Sequence, residues 1–371
     1  MAQRAVQWVE IDGRHHHLVA GRLSHAVKNP TFDPISKPGA LHDFVRGEDD
    51  LDVAALMARL RDHEPSPAHY REPDARLAMM DRQGLEWTWL FPTLGVLYEE
   101  LLKEDVGAVT ATFQAFNRWL AEDWGFAYEG RIFAAPYLSL ADVDWAIREL
   151  EWALERGARV LCMRPAAIQT AQGLLSPGHA HFDPFWARVN EAGITVAIHA
   201  GDSGYSTQGY AQDGFSAAFG EGATGAEHRP SIKMWNIERA ALDYLATLIF
   251  DRVFERFPNL RVASIENGSE FLSDLIRKLG SMSRKAPGYF KQDPAETFRN
   301  HVWINPFWED DVAEVARCMG TDHVIFGSDW PHVEGLPAPL DTLSELADFS
   351  DADRRKILRD NALALTGLPV S

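Results

Sequence analysis

The sequence predicts an α/β barrel of the TIM type, (β/α)8, and three observations lead there. Seven short apolar runs recur along the chain, at Leu85–Phe91, Ile132–Leu138, Arg159–Met163, Ile194–His199, Leu260–Ile265, Val302–Asn305 and Val324–Gly327. Most are apolar almost without interruption, as strands covered on both faces must be. Helix-patterned stretches separate them, among them Ala141–Arg156, Pro184–Ala192 and Glu238–Phe257. Such crossovers are what parallel strands require. Finally, the residues that follow the apolar runs are polar, and in a barrel those positions surround one shared mouth.

The first seventy-odd residues have another character. Val6–Glu10 alternates, Asp12-Gly13 is a turn signal and His15–Val19 alternates again, which predicts a β-hairpin. Asn29–Gly39, NPTFDPISKPG, is punctuated by prolines and reads as an ordered loop. Leu51–Arg61 reads as a short helix, and Asp74–Gln83 as a helix with Leu77 and Met80 on one face, stopped by Gly84. Residues 1–73 are therefore expected to pack, as hairpin and Pro-rich insertion, on a barrel spanning 74–371. Between the runs ending at His199 and Ile265 lies Gly201–Pro230, rich in Gly, Ser and Ala. It reads either as a lid over the mouth or as a surface insertion.

Composition narrows the partners. Of 371 residues, 54 are Asp or Glu against 36 Lys or Arg, a net charge of −18, which repels nucleic acid and acidic membrane surfaces. Cys162 and Cys318 are too few for a disulfide framework and suit a reducing compartment. The start, MAQRAVQWVEIDG, has no apolar signal region, and no run reaches the length of a membrane span. A cytoplasmic protein acting on a small molecule is the expectation.

The polar strand-end residues are Arg164, His199, Asp202, Glu266, Asn267, Asn305, Asp329 and His332. A lone histidine after a strand is usually a hydrogen-bonded structural residue. Several strands delivering His, Asp and Glu to one face are explained more economically by a divalent metal, whose usual ligands are imidazole and carboxylate. Arg164 reads either as a clamp on a substrate carboxylate or as a salt-bridge partner of nearby acids. Trp308, Trp330, Tyr137 and Phe91 either line the mouth for an unsaturated substrate or pack under loops. Gly201-Asp202-Ser203-Gly204 imitates a serine-protease nucleophile segment, but no matching histidine segment accompanies it. Asp202 and Ser203 are expected to shape the pocket instead.

The segments RLAMMDRQGLEWTWLFP, HFDPFWARVNEAGITVAIHAG, RFPNLRVASIENGS, VIFGSDWPH and ILRDNALALTGL, in that order and spacing, resemble the amidohydrolase-related metal-dependent enzymes. The likeness is to the branch of aminocarboxymuconate-semialdehyde decarboxylase and related nonoxidative decarboxylases, and it runs from about Asp74 to Leu368. It implies that His199 and Asp329 match metal-ligand positions, and it implies a homodimer. Where the family places a histidine base, this chain has Glu266, which can accept a proton or bind metal. The family also opens on an apolar strand bearing an Asp-x-His-x-His type motif. His15 and His17 have the His-x-His spacing, but Asp12 is one residue too far away and already serves a turn. They are read as a hairpin arm, and an apolar strand ending in Asp-x-His is expected to be encoded upstream of Met1.

Two chemistries fit: decarboxylation of a small unsaturated or aromatic acid, or hydrolysis of a lactone, ester or amide at the same site. A non-catalytic barrel with a degenerate site is the third reading. In the first, Glu266, Asp329 and His332 move protons around one divalent ion, zinc first and manganese second. The metal set is then His199, Asp329 and Glu266, with Arg164, Asp202, Asn267, Asn305 and Trp330 against the substrate.

Overall fold

Seven parallel segments follow one another in chain order, each hydrogen-bonded to the next, in a computed structural model that describes residues 5–24, 33–46, 52–92, 95–205, 208, 235–307 and 310–369. Before them comes an antiparallel sheet, β1 (Val6–Ile11), β2 (Arg14–Val19) and β3 (Arg22–Leu23). The β1–β2 register runs from Val6 opposite Val19 to Ile11 opposite Arg14. Asp12 and Gly13 turn the hairpin with φ of 51° and 75°, the left-handed pair that such two-residue turns demand. The Pro-rich stretch departs from the loop reading: β4 (Ile35–Ser36) pairs with β5 (His63–Glu64). Short helices α1 (His42–Val45) and α2 (Val53–Arg61) lie between them, α2 capped by Asp52, which accepts from Ala55 N–H at 2.8 Å.

Helix α3 (Pro73–Gln83) starts with proline in its first turn and ends at a left-handed Gly84, as its sequence signals require. The parallel strands then begin with β6 (Thr88–Leu90), after which α4 (Gly95–Leu102) and α5 (Val106–Asp123) lead to β7 (Ile132–Ala134). Helix α6 (Val143–Leu154) leads to β8 (Val160–Met163), which is followed by a small hairpin, β9 (Ile168–Thr170) and β10 (Gly173–Leu175). Then come α7 (Asp183–Ala192), β11 (Thr195–His199), α8 (Asn236–Phe250), α9 (Val253–Arg256) and β12 (Arg261–Ile265). Helices α10 (Leu272–Lys285) and α11 (Pro294–His301) precede β13 (Val302–Ile304), and α12 (Val312–Met319), α13 (Asp351–Arg355) and α14 (Asn361–Thr366) complete the chain.

β6 pairs with β7, and β8, β11, β12 and β13 form one parallel ladder. Leu138 N–H to Cys162 O (3.0 Å) and Cys162 N–H to Pro136 O (2.9 Å) join the two groups. β7, β8 and β11 are buried at every residue, which explains their unbroken apolar sequences. Two expected elements differ. The run at Val324–Gly327 makes a bridge from Val324 to Ile304 instead of a full strand, since Phe326 N–H turns to Ile357 O at 3.0 Å. The helix expected over Glu238–Phe257 breaks between α8 and α9, where Asp251 bonds Ser176 and Arg252 is left-handed at φ 55°. Most of the candidate lid lies outside the described residues, as does Trp308. Among the described residues no helix is long and apolar enough to cross a membrane.

Several contacts tie the N-terminal segments to the mouth. His17 is buried and its Nδ1 meets the Tyr98 hydroxyl on α4. Gly39 N–H donates to His332 O at 2.9 Å and Leu41 N–H to Val333 O at 2.7 Å. Helix α4 in turn presses on the loop after β11 so closely that a Cβ on Gly201 would lie 2.5 Å from Val96 O.

At the opposite end, His301 stacks on Phe254 (4.5 Å) and His323 against Trp303 (4.6 Å). Each ring donates from Nδ1 to a backbone carbonyl, of Leu260 and Val302 respectively. Burial lowers both pKa values below the ordinary 6.5, so the folded chain binds fewer protons than the unfolded one as pH falls through that value. Their contribution is complete above pH 6.5 and is lost on acidification. Urea unfolding at pH 7 and pH 5 should therefore show a stability loss that shrinks in a His301→Gln, His323→Gln double variant. An unchanged pH dependence would remove these rings as its cause.

Candidate active site and metal centre

The strand ends bring two histidines and three carboxylates together. His199 is the last residue of β11, Glu266 follows β12, and Asp329, His332 and Glu334 share the loop after the Val324 bridge. Glu266 and Asp329 both have left-handed backbones, with φ of 58° and 51°. Non-glycine residues adopt that conformation at a cost, and it persists where the surroundings hold a functional side chain in place.

Glu266 is the hub. Its Oε2 lies 2.9 Å from His199 Nε2 and its Oε1 3.7 Å from His332 Nδ1, while His332 Nδ1 lies 2.7 Å from Asp329 Oδ1. One donor atom from each of Glu266, Asp329, His332 and Glu334 falls within 4.8 Å of the others. Burial opposes ionisation of Glu266, but His199 and His332 outweigh it and hold its carboxyl below the usual range. Burial pushes the Asp329 carboxyl up to about 6, with Glu266 adding to the rise against the pull of His332. The imidazoles respond in kind. Burial would lower both, yet Glu266 raises His199, and Asp329 and Glu266 raise His332 to about 11.

Asp329 Oδ2 has neither solvent nor, among the described residues, a hydrogen-bond partner. A buried carboxylate oxygen left so is costly, and a proton or a cation would satisfy it. His199 Nδ1 faces Ala200 O at 2.8 Å, an anchoring bond of the kind that orients metal-bound imidazoles and here aims Nε2 into the cluster. With imidazole nitrogens and carboxylate oxygens converging, the donor set fits a divalent ion of the zinc and manganese type.

The other expected residues are placed differently. Arg164 is buried against two acids, Nε 3.2 Å from Glu99 and Nη1 2.7 Å from Glu100, and also donates to Asp202 O at 2.6 Å. Its geometry is that of the salt-bridge alternative. Asp202 serves its own loop, accepting from Gly204 N–H at 2.9 Å. Asn267 is fully buried and staples β11 to β12, donating to Ile198 O and Ser264 Oγ. Asn305 packs under Gly327 and lines a cavity of about 140 Å³ with Ser328 and His42. Phe91 lies 5.1 Å from His199, ring to ring, whereas Tyr137 is buried and donates to Glu99 at 2.5 Å. His17 belongs with Tyr98 and His15 is exposed on the hairpin, as the hairpin-arm reading requires.

Two residues escape the sequence reading. Glu334 sits only five positions beyond Asp329, and proximity in the loop was the available signal. Arg76 is the second. It lies on the buried face of α3, one turn from Met80, with its guanidinium 4.4 Å over the ring of Trp330. Among the described residues it has no ion pair, and its Nη1 has no hydrogen-bond partner. Burial pushes its pKa down to about 10. An arginine in register with an apolar helix stripe was the sign in the sequence.

The amidohydrolase family model matches residues 11–368. The chain belongs to the amidohydrolase family. A solved amidohydrolase from Mycobacterium avium subsp. paratuberculosis K-10 is 42% identical, with a TM-score of 0.88 over 99% of this chain and 92% of that one. A dihydroxybenzoic acid decarboxylase from Polaromonas sp. JS666, solved with manganese and the inhibitor 2-nitroresorcinol, is 19% identical. Its TM-score is 0.61 over 90% of this chain and 94% of its own, a likeness of fold. The 2-amino-3-carboxymuconate-6-semialdehyde decarboxylase of Dictyostelium discoideum is 25% identical over 131 residues, and the match spans 33% of this chain and 36% of that protein. Family membership sets aside the non-catalytic barrel and makes the chain an amidohydrolase-family enzyme.

The donor set predicts that His199→Ala and Asp329→Ala each lose a divalent ion while keeping the circular dichroism of the parent. Both residues stand at strand ends, which serve sites more than stability. Full metal content in either variant would remove that residue from the ligand set.

Proposed function

We propose that this enzyme is a metal-dependent carboxy-lyase that releases carbon dioxide from a small unsaturated or aromatic carboxylic acid. The observation that carries the reading is the buried guanidinium of Arg76, which among the described residues has no carboxylate partner and lies on the ring next to Asp329. A cation kept in that state suits an anionic substrate, whereas a neutral lactone or ester gives it no partner.

His199 and Asp329 hold the ion, with Glu266, His332 and Glu334 around it. Zinc is the first expectation and manganese, present in the Polaromonas structure, the second. When bound, the ion supplies positive charge that orients the substrate and withdraws electrons from it. Arg76 binds and orients an anionic group, and Phe91 offers a ring face beside His199. Glu266 Oε1 faces His332 Nδ1, where it can accept a proton from that ring and return it. In the reaction the carbon–carboxylate bond breaks, its electron pair stays on carbon, and a proton delivered from His332 through this pair replaces the departing carbon dioxide. Homodimerisation and a reducing, cytoplasmic setting belong to the same reading, the latter in keeping with the free, buried Cys162 and Cys318.

The test is a panel of aryl and muconate-type acids scored for carbon dioxide, run beside lactones scored for acid release. Carbon dioxide from at least one acid is expected; acid from a lactone without any carbon dioxide would make the enzyme a hydrolase. Glu266→Gln keeps the side-chain shape but cannot accept a proton, so it should lower kcat by about 10²–10⁴-fold, the usual worth of a general acid–base group, while retaining metal. Loss of the ion along with activity would make Glu266 a ligand instead.

A further inference from the structure

Arginines that lie against tryptophan rings or deep in the interior are treated differently, and Arg156, 4.3 Å over Trp152, also meets Glu155 at 3.6 Å. Arg164 is neutralised by Glu99 and Glu100. Arg118 stands 3.3 Å over Trp152 and also meets Glu149 at 2.7 Å. Arg76 has the ring without the acid. Its guanidinium lies over Trp330, and that ring also meets His69 at 5.5 Å and Tyr70 at 5.6 Å, each inclined by 30°. Glu64 acts on His69 and Tyr70 at a distance, yet among the described residues it makes no ion pair with Arg76. Neither the Arg76 Nη1 nor the Tyr70 hydroxyl has a partner among those residues.

A carboxylate would hold a buried guanidinium firmly but would also cancel its charge. An aromatic face attracts the cation through the ring quadrupole and leaves the N–H donors at the rim of the plane unused. That attraction is small against the cost of burying a charge, so the arrangement is unfavourable until an anion arrives. Trp330 adjoins Asp329 in sequence, and Trp330 N–H is fixed by Ser328 Oγ at 3.2 Å. The loop that delivers Asp329 therefore also fixes the plane on which Arg76 rests.

We propose that Trp330 is a positioning residue: its ring, packed with His69 and Tyr70, holds Arg76 beside the Asp329 loop without neutralising it, leaving the cation for a carboxylate of the substrate. This rests on the reading of the site as one that takes a carboxylic acid. It moves Trp330 from direct substrate contact to a role exerted through Arg76. It also gives the half-buried aromatic cluster a purpose that packing alone does not require.

The experiment measures binding of 2,6-dihydroxybenzoate and of resorcinol, its counterpart without the carboxyl group, by calorimetry on the metal-loaded enzyme. The proteins compared are the parent, Trp330→Phe, Trp330→Leu and Arg76→Gln. Trp330→Leu and Arg76→Gln should each weaken the carboxylate at least tenfold and resorcinol less than twofold, and Trp330→Phe, which keeps a ring face, should restore most of the carboxylate affinity. Equal weakening of both ligands by Trp330→Leu would make the ring ordinary packing and overturn the proposal. So would full carboxylate affinity in that variant, or no carboxylate binding by the parent. If Trp330→Leu fails to fold, Trp330→Phe and Arg76→Gln decide: a carboxylate-selective loss confined to Arg76→Gln upholds the proposal, and an equal loss in both refutes it. Carbon dioxide release is scored separately. Selective carboxylate binding without turnover would sink the decarboxylase and leave the positioning role standing, and turnover with an unselective Trp330→Leu would do the reverse.

Discussion

Three carboxylates crowd the mouth of this barrel within a few ångströms of one another, and their mutual repulsion is the constraint that the surrounding structure answers. Like charges so close cannot all ionise unless positive charge is interleaved. His199 and His332 supply part of it, one on each side of Glu266. The remainder falls on Asp329, whose carboxyl is pushed up and whose Oδ2 is left without a partner among the described residues. Glu266 and Asp329 are linked through His332, so altering one changes the proton affinity of the other. A divalent cation relieves the same crowding without a proton, which is why the geometry reads as a metal centre and not as a structural salt-bridge network.

The scaffold serves that crowding. β8, β11 and β12 run parallel in fixed register, so the ends of β11 and β12 arrive side by side and place His199 against Glu266. Asn267 locks the two ends by bonding Ile198 and Ser264 beneath them. Behind the mouth, Arg164 with Glu99 and Glu100 forms a closed ionic knot that fastens α4 to the loops after β8 and β11. The two arrangements are complementary: one group of acids is neutralised internally and holds the wall, the other is left under-neutralised at the mouth.

Much of this was legible in the sequence, for identifiable reasons. The strands were visible because β7, β8 and β11 are buried on both faces and their sequences are apolar throughout. The positions of His199, Glu266, Asp329 and His332 followed from standing just beyond such runs. Asn267 and Arg164 stand in equivalent places, yet their side chains turn into the wall. Sequence position gives the ring of the barrel on which a residue lies, not the direction of its side chain. The break after Phe250 was hidden because Asp251 and Arg252 are compatible with a helix and are diverted by partners far away in the chain, Ser176 among them. Arg76 was overlooked for a related reason. Its meaning lies in having, among the described residues, a ring and no acidic partner, and only the folded chain reveals that.

The bonds from Gly39 and Leu41 to His332 and Val333 carry a consequence for cooperativity. They splice an N-terminal segment, distant in sequence, onto the loop that holds Asp329, and a Cβ on Gly39 would lie 2.6 Å from Pro337, so the two backbones touch. The loop's order is thereby linked to that of residues 33–46. Fluctuations that peel the segment away release two backbone hydrogen bonds of the loop, so the opening free energy of a peripheral strap bears on how firmly the carboxylate and histidine cluster is held together. Amide exchange at Gly39 and Leu41 therefore reports the order of the loop that carries Asp329.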